Sequence, residues 1–320
     1  MTGIAPSTTR DTDALTKFSD PIVTLDGAKR AHVGLKALYT LWINTGTLCN
    51  LTCDNCYIES SPRNDRLSYI DVGDVRTYLD EIERDSLPTR EIGFTGGEPF
   101  MNPHIIDIIA MCLDRGFNVL ALTNAMRPMM KCADRLRALR ERYGGRFTLR
   151  VSLDHYMASR HEELRGARSW RPAMDGISWL CENGFKTHIA GRTCWNESEF
   201  ELRAGYAELF TGAGLSIDPQ NPESLVLFPE MDIERDVPEI TEQCWGILDV
   251  SPDAMMCATS RMVVKRKGSS RPTVLACTLL SYDPRFELGE TLAKASSSVS
   301  LNHPHCASFC VLGGGSCSVS

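Results

Sequence analysis

The sequence predicts an α/β protein, a partial (β/α)6 barrel of the TIM type followed by a small cysteine-rich domain with a β-hairpin. Three observations carry this reading. From residue 38 to about residue 228, short β-branched or apolar runs alternate with longer segments of helical period, the pattern of βα units on a parallel sheet. After Pro229 that alternation stops. Of the thirteen cysteines, six fall between Cys244 and Cys317.

The first predicted strand is Leu38 to Asn44, and after a long loop a helix opens near Asp71 and carries Val75, Leu79 and Ile82 on one face. The second strand is Glu91 to Phe94. Asn102-Pro103 then supplies a cap and a first helical residue for a helix from Ile105 to Arg115, which Gly116 ends. The third strand is Asn118 to Leu122, followed by a helix from about Pro128 to Arg142 that stops at Gly144-Gly145. The fourth is Phe147 to Leu153, with a helix Ala173 to Glu182 closing at Gly184. The fifth is Lys186 to Arg192, and a helix near Glu197 to Thr211 leads through a Pro-rich loop to a short sixth strand, Leu225 to Phe228. Two later extended runs, Arg261 to Lys265 and Thr273 to Leu279, flank Lys267-Gly268-Ser269-Ser270 and read as a hairpin. The expected domains are an N-terminal extension (1–37), the barrel (38–235) and the cysteine-rich domain (236–320). Ser296 to Ser298 with Ser300 marks a flexible loop in the last of these.

Composition narrows the function. A chain of 320 residues that is 42% apolar and 23% charged can bury one large core. With 34 basic and 41 acidic side chains the net charge is −7, so no cationic field gathers nucleic acid or anionic lipid. Met1 to Phe18 lacks the basic start and apolar stretch of a signal or anchor. The longest apolar runs, such as Ile105 to Leu113, fall short of the roughly 18 residues that cross a bilayer. The expectation is a cytoplasmic protein without nucleic-acid or membrane partners, in which cysteines serve metal or redox chemistry before disulfides.

The chemistry begins with Cys49, Cys53 and Cys56, a Cys-x3-Cys-x2-Cys group directly after the first strand. In parallel α/β barrels the active site is built from loops at the carboxyl ends of the strands. Three thiolates this close can wrap one face of an iron-sulfur cluster and leave one iron open to a ligand. A structural zinc site with a fourth ligand from elsewhere is the other centre this spacing fits. After the second strand comes Gly96-Gly97-Glu98-Pro99, where glycines allow close backbone approach to a ligand and the carboxylate can accept from an ammonium group.

Together these two motifs resemble the radical S-adenosylmethionine (radical SAM) superfamily over the segment from about Thr40 to Phe228. The resemblance implies that Cys49, Cys53 and Cys56 hold a 4Fe-4S cluster whose open iron chelates S-adenosylmethionine (SAM), with Gly96, Gly97 and Glu98 at the methionine amino group. Val151-Ser152-Leu153-Asp154 followed by Arg165-Gly166 is similar to the fourth-strand motif of the superfamily, which implies Ser152 at the ribose and Arg165 at the methionine carboxylate. Thr123-Asn124 and Asn196 occupy rim positions, with Asn124 carried as a cofactor-binding residue, and Leu225 to Phe228 would wall the adenine. Asn55 stands before the third cysteine, where an aromatic residue is frequent, and Tyr57 follows it. That order recurs in members with an auxiliary-cluster domain.

The C-terminal domain resembles the SPASM or shorter twitch domain, which binds auxiliary 4Fe-4S clusters. Its candidate ligands are Cys257, Cys277, Cys306, Cys310 and Cys317, although Cys257-x10-Gly268-x8-Cys277 and Cys306-x3-Cys310-x6-Cys317 are spaced differently from the usual SPASM pattern. One cluster takes about four thiolates, leaving one cysteine over. Cys317, in the tail after Gly313-Gly314-Gly315, is the candidate hydrogen donor. A zinc knuckle is the alternative for this tail. Cys112, Cys132 and Cys181 fall at helical core positions, Cys194 ends the fifth strand, and His155, His161, His303 and His305 are assigned to polar loops without ligand roles.

The resemblance implies an enzyme that cleaves SAM reductively to a 5'-deoxyadenosyl radical, with flavodoxin or ferredoxin as electron donor. That radical abstracts hydrogen from a small-molecule or peptide substrate. A radical epimerase or group-transfer enzyme using the surplus cysteine is an alternative, as is a non-catalytic zinc or iron-sulfur scaffold.

Overall fold

The computed structural model describes residues 16–315. Its strands are β1 (His32–Val33), β2 (Thr40–Asn44), β3 (Glu91–Thr95), β4 (Asn118–Thr123), β5 (Phe147–Ser152), β6 (Lys186–Arg192), β7 (Leu225–Phe228), β8 (Ser260–Val264), β9 (Thr273–Leu275), β10 (Glu287–Gly289) and β11 (Val299–Ser300). The helices are α1 (Val72–Arg84), α2 (Ile105–Asp114), α3 (Arg127–Met130), α4 (Ala133–Tyr143), α5 (Ala158–Arg165), α6 (Trp170–Glu182), α7 (Glu199–Gly212), α8 (Cys244–Leu248) and α9 (Met256–Thr259). A single π-helical turn spans Cys306–Val311.

β2 to β7 form the parallel, partial-barrel part of the sheet in chain order, each paired with the next. The α-helices between them cover it, and their apolar faces pack with the strands into the largest core cluster. α1 opens on a capping box, Asp71 accepting from the Asp74 N–H while the Asp74 carboxylate accepts from the Asp71 N–H. α7 opens the same way at Ser198 and Glu201.

The hairpin does not stand apart from the barrel sheet. β8 pairs in parallel with β2, and β9 and β10 follow antiparallel, giving one nine-stranded sheet in the order β10-β9-β8-β2-β3-β4-β5-β6-β7. The free edge of β2 is thereby paired rather than exposed. β9 ends at Leu275 rather than Leu279, because Ala276 donates to the Phe286 carbonyl and Leu279 N–H turns back to Cys277 Sγ. A second core lies beneath, where Phe18, Ala31 and Val33 join Met255, Leu280, Phe286 and Phe309. β1 and β11 form a short antiparallel ribbon over it.

Other expectations need correction. The helix expected from Pro128 to Arg142 is broken into α3 and α4 at Lys131 and Cys132. Asn102 does not cap α2: its Oδ1 accepts from the His104 N–H just before the helix, while its buried Nδ2 donates across the loops to the carbonyls of Thr45 and Ile70. α5 has no counterpart among the predicted helices, because its buried residues are only His161 and Leu164, too few to make a helical period. His155, His161, His303 and His305 are buried, not polar-loop residues. Among the described residues no helix is long and apolar enough to cross a membrane.

Candidate active site

The loop that carries the three cysteines leaves β2 at Thr45 and is held to β3 from its first residue. Thr45 donates to the Thr95 carbonyl through both N–H (2.8 Å) and Oγ1 (3.0 Å). Gly97 N–H donates to Gly46 O at 2.8 Å, and Glu98 N–H to Leu48 O at 3.1 Å. The glycines are required by this crossing. A Cβ on Gly97 would stand 2.1 Å from Leu48 O, and Gly96, at φ +141°, would put one 2.5 Å from Gly46 O. The close approach expected towards a ligand is thus first an approach to the cysteine loop itself.

Farther along, Cys49 N–H donates to Ser61 O at 3.1 Å, and Asp54 N–H reaches Leu164 O on α5 at 2.8 Å. Two sulfurs receive backbone donors, Cys49 Sγ from Leu51 N–H and Cys56 Sγ from Ser60 N–H, both at 3.4 Å. Such N–H···S contacts favour a thiolate. Burial nevertheless pushes the Cys49 thiol up to about 12 and raises Cys53, although Arg165 and Arg192 act on Cys53 in the opposite direction.

Cys49, Cys53, Cys56, Gly96, Gly97, Glu98, Asn124, Ser152 and Arg165 all line one cleft at the carboxyl ends of the strands. The last residue of every strand from β3 to β7 lines it too: Thr95, Thr123, Ser152, Arg192 and Phe228. Glu98 is 1% exposed, and its carboxylate accepts from Thr123 Oγ1 (2.8 Å), Asn124 N–H (2.8 Å) and Phe100 N–H (3.2 Å). Burial pushes its pKa up to about 7 against those donors. The Asn124 amide donates to Asn50 Oδ1 at 2.9 Å and so ties β4 to the cysteine loop.

Arg165, the last residue of α5, forks onto Asp154 through Nε (2.6 Å) and Nη2 (3.0 Å). Burial opposes its charge, but Asp154 outweighs burial and keeps the guanidinium firmly protonated. Arg192 pairs with Glu230 at 3.0 Å, and Glu230 in turn accepts from Asn55 on the cysteine loop at 3.2 Å. Arg192 was missed in the sequence, although its place at a strand's carboxyl end was the available signal. Asn196 does not line the cleft and sits at φ +60° beside Glu197, which pairs with the buried His155. Of the expected adenine wall, Phe228 faces the cleft while Leu225 is core.

Cys257 lies in α9, Cys277 follows β9, and Cys306 and Cys310 are one turn apart on the π-helical segment. Cys257 and Cys306 lie in the second core, and the partly buried Cys277 and Cys310 pack against it. Burial pushes the Cys257 thiol up to about 11 and Cys306 further, with Cys277 and Cys257 adding to the latter effect. Leu279 and Phe309, neighbours of Cys277 and Cys310, reach over to line the cleft. Cys317 lies outside the described residues. Cys112, Cys132 and Cys181 pack in or against the barrel core, as expected. None of the cysteines described is in a disulfide.

Among the described residues no three His, Cys, Asp or Glu side chains converge as a single metal ion requires. A cubane cluster makes a different demand, because each thiolate binds a different iron. The donor set fits such a group: three thiols on one loop, two of them with backbone N–H donors, open to one cleft.

The profile of the radical SAM superfamily matches residues 43–202. Among curated relatives, the subtilosin biosynthesis protein AlbA of Bacillus subtilis is 26% identical over 169 residues, covering 52% of this chain and 35% of AlbA. The GTP 3',8-cyclase of Pectobacterium atrosepticum is 29% identical over 157 residues, 47% of this chain and 44% of the cyclase. The matched stretch thus spans less than half the length of either relative. Among solved structures, SuiB of Streptococcus suis bound to its precursor peptide SuiA superposes with a TM-score of 0.59 at 15% identity, covering 82% of this chain and 66% of SuiB. The structure of anSMEcpe with bound AdoMet gives 0.59 at 14% identity, over 83% and 78% of the two chains.

Proposed function

The chain belongs to the radical SAM superfamily, enzymes that use a 4Fe-4S cluster and SAM, and on that premise we propose that it abstracts hydrogen from a peptide or small-molecule substrate held in the cleft. The observation that carries the site assignment is the convergence in one cleft of nine residues drawn from the ends of four strands and one helix. Cys49, Cys53 and Cys56 are the proposed cluster ligands. Glu98 would accept from the methionine ammonium with its remaining lone pair, and Ser152 would face the ribose. Arg165, its Nε and Nη2 fixed on Asp154, has Nη1 left for the methionine carboxylate. Asn124 keeps the rim of β4 and the cysteine loop in register.

When bound, the cluster and SAM supply a 5'-deoxyadenosyl radical by one-electron cleavage of the sulfonium. The chain's part is to orient and to exclude water. Tyr57, Phe228, Met231, Leu279 and Phe309 form an apolar wall on the side of the cleft shared with the second core. A peptide substrate is supported by SuiB with its bound precursor peptide and by the bacteriocin role in AlbA's name. A small-molecule substrate is supported by the GTP cyclase and by the AdoMet-dependent heme synthase, 26% identical over 144 residues. Cys257, Cys277, Cys306 and Cys310 are the proposed ligands of an auxiliary 4Fe-4S cluster. The proposed electron donor is a flavodoxin or ferredoxin.

The test is reductive SAM cleavage. Protein reconstituted anaerobically with iron and sulfide, then given dithionite and SAM, should form 5'-deoxyadenosine, and Cys53→Ala should form none. Undiminished product in Cys53→Ala would overturn the ligand assignment.

A further inference from the structure

Arg261, the second residue of β8, is 0% exposed. Its guanidinium donates only to backbone carbonyls: Nε to Ala295 O (2.8 Å), Nη1 to Ser260 O (2.8 Å) and Cys257 O, and Nη2 to Ser297 O (3.2 Å). No carboxylate is within ion-pair reach among the described residues. Arginine does not shed its proton in a protein, so a full positive charge stays buried there. The equally buried Arg30 shows the ordinary solution, an ion pair with Glu239 at 2.5 Å. Around Arg261 the groups able to carry negative charge are the thiols of Cys257 and Cys277, and those two also face Cys306. As neutral thiols they would leave the cation uncompensated. As thiolates on iron they form an anionic centre beside it.

We propose that Arg261 is the internal counter-charge of a thiolate-bound iron-sulfur centre at Cys257, Cys277 and Cys306, and that its charge raises the reduction potential of that centre. The proposal rests on the auxiliary-cluster reading above. It makes Arg261 a positioning and tuning residue, since it touches the backbone of one ligand, Cys257, and not a substrate. A fixed positive charge favours the form of the centre that has gained one electron, with no proton taken up.

The experiment uses the full chain with Cys49, Cys53 and Cys56 replaced by Ala, so that only the C-terminal centre remains. It is reconstituted with iron and sulfide and titrated with dithionite under redox mediators. About four irons per chain are expected. Into this background go Arg261→Gln and Arg261→Lys. Loss of the charge in Arg261→Gln should lower the equilibrium constant for one-electron reduction by about tenfold, a shift of about 59 mV to more negative potential. Arg261→Lys should stay within about threefold, about 28 mV on the same scale. An unchanged potential in Arg261→Gln, or an equal shift in both variants, would overturn the counter-charge while leaving the cluster in place. Zinc, or no metal at all, in the parent would overturn the cluster reading and the proposal with it. Should Arg261→Gln fail to fold, Ser297→Asp at low ionic strength replaces it. This exposed residue's carbonyl accepts from Arg261, and its new carboxylate should move the potential in the same direction by a smaller amount. No movement there would overturn the proposal.

Discussion

Glu98 shows how much one side chain does in this cleft. It is an almost fully buried carboxylate pinned by a hydroxyl and two backbone N–H groups, and it lines the same space as the three thiols. An ammonium arriving there gains a charge-assisted bond in a low dielectric. Glu98→Ala is therefore expected to weaken SAM binding by about 1.5 to 3 kcal/mol, read by calorimetry on reconstituted protein. Unchanged affinity would place the amino contact elsewhere. Its position was legible from the Gly-Gly-Glu-Pro turn after the second strand. Its partners Thr123 and Asn124 were legible only as rim residues, because a hydrogen bond between two strand ends leaves no local trace in either. Arg192 enters the same way, through Glu230, 38 residues further along the chain.

At the scale of elements, the crossing of the Gly96-Gly97 turn over the cysteine loop sets the site. Gly97→Ala puts a methyl 2.1 Å from Leu48 O, against the backbone of the cysteine loop. The loop should shift, so iron bound after reconstitution is expected to fall from about eight towards about four per chain while the melting cooperativity is retained. Full iron retention would show that the loop tolerates displacement. Asn102→Ala removes two donors that reach the buried carbonyls of Thr45 and Ile70, and about 2 kcal/mol of stability should go with them in urea unfolding. The strands β2 to β7 were legible because short apolar runs there alternate with segments of helical period. α5 was not, having almost no buried face, and Asn102 does not cap α2 because its oxygen turns the chain at His104, one residue before the helix begins.

Across the whole molecule, non-local pairing is what the sequence conceals. The hairpin itself was readable from its two runs and glycine-containing loop, but its docking on β2 joins segments more than two hundred residues apart. Burial of histidines is hidden for the same reason. Burial holds His161, His188 and His303 down at about 4, below their usual value. The unfolded chain binds these protons near pH 6.5 and the folded chain refuses them until about pH 4, so stability is full above pH 6.5 and is lost as pH falls through that window. Between pH 7 and 5 each should cost about 2 kcal/mol. Urea unfolding at both pH values should show a smaller loss in His188→Leu than in the parent, and an equal loss would mean that His188 accepts its proton in the folded chain.

Two sets of cysteines, one lining the cleft after β2 and one in the second core, are proposed to hold an iron-sulfur cluster each. Iron, sulfide and zinc content of the anaerobically reconstituted chain tests this proposal most directly. About eight irons and eight sulfides are expected, falling to about four of each in Cys277→Ala and in Cys53→Ala. Zinc in place of iron, or an iron content that neither substitution changes, would contradict it.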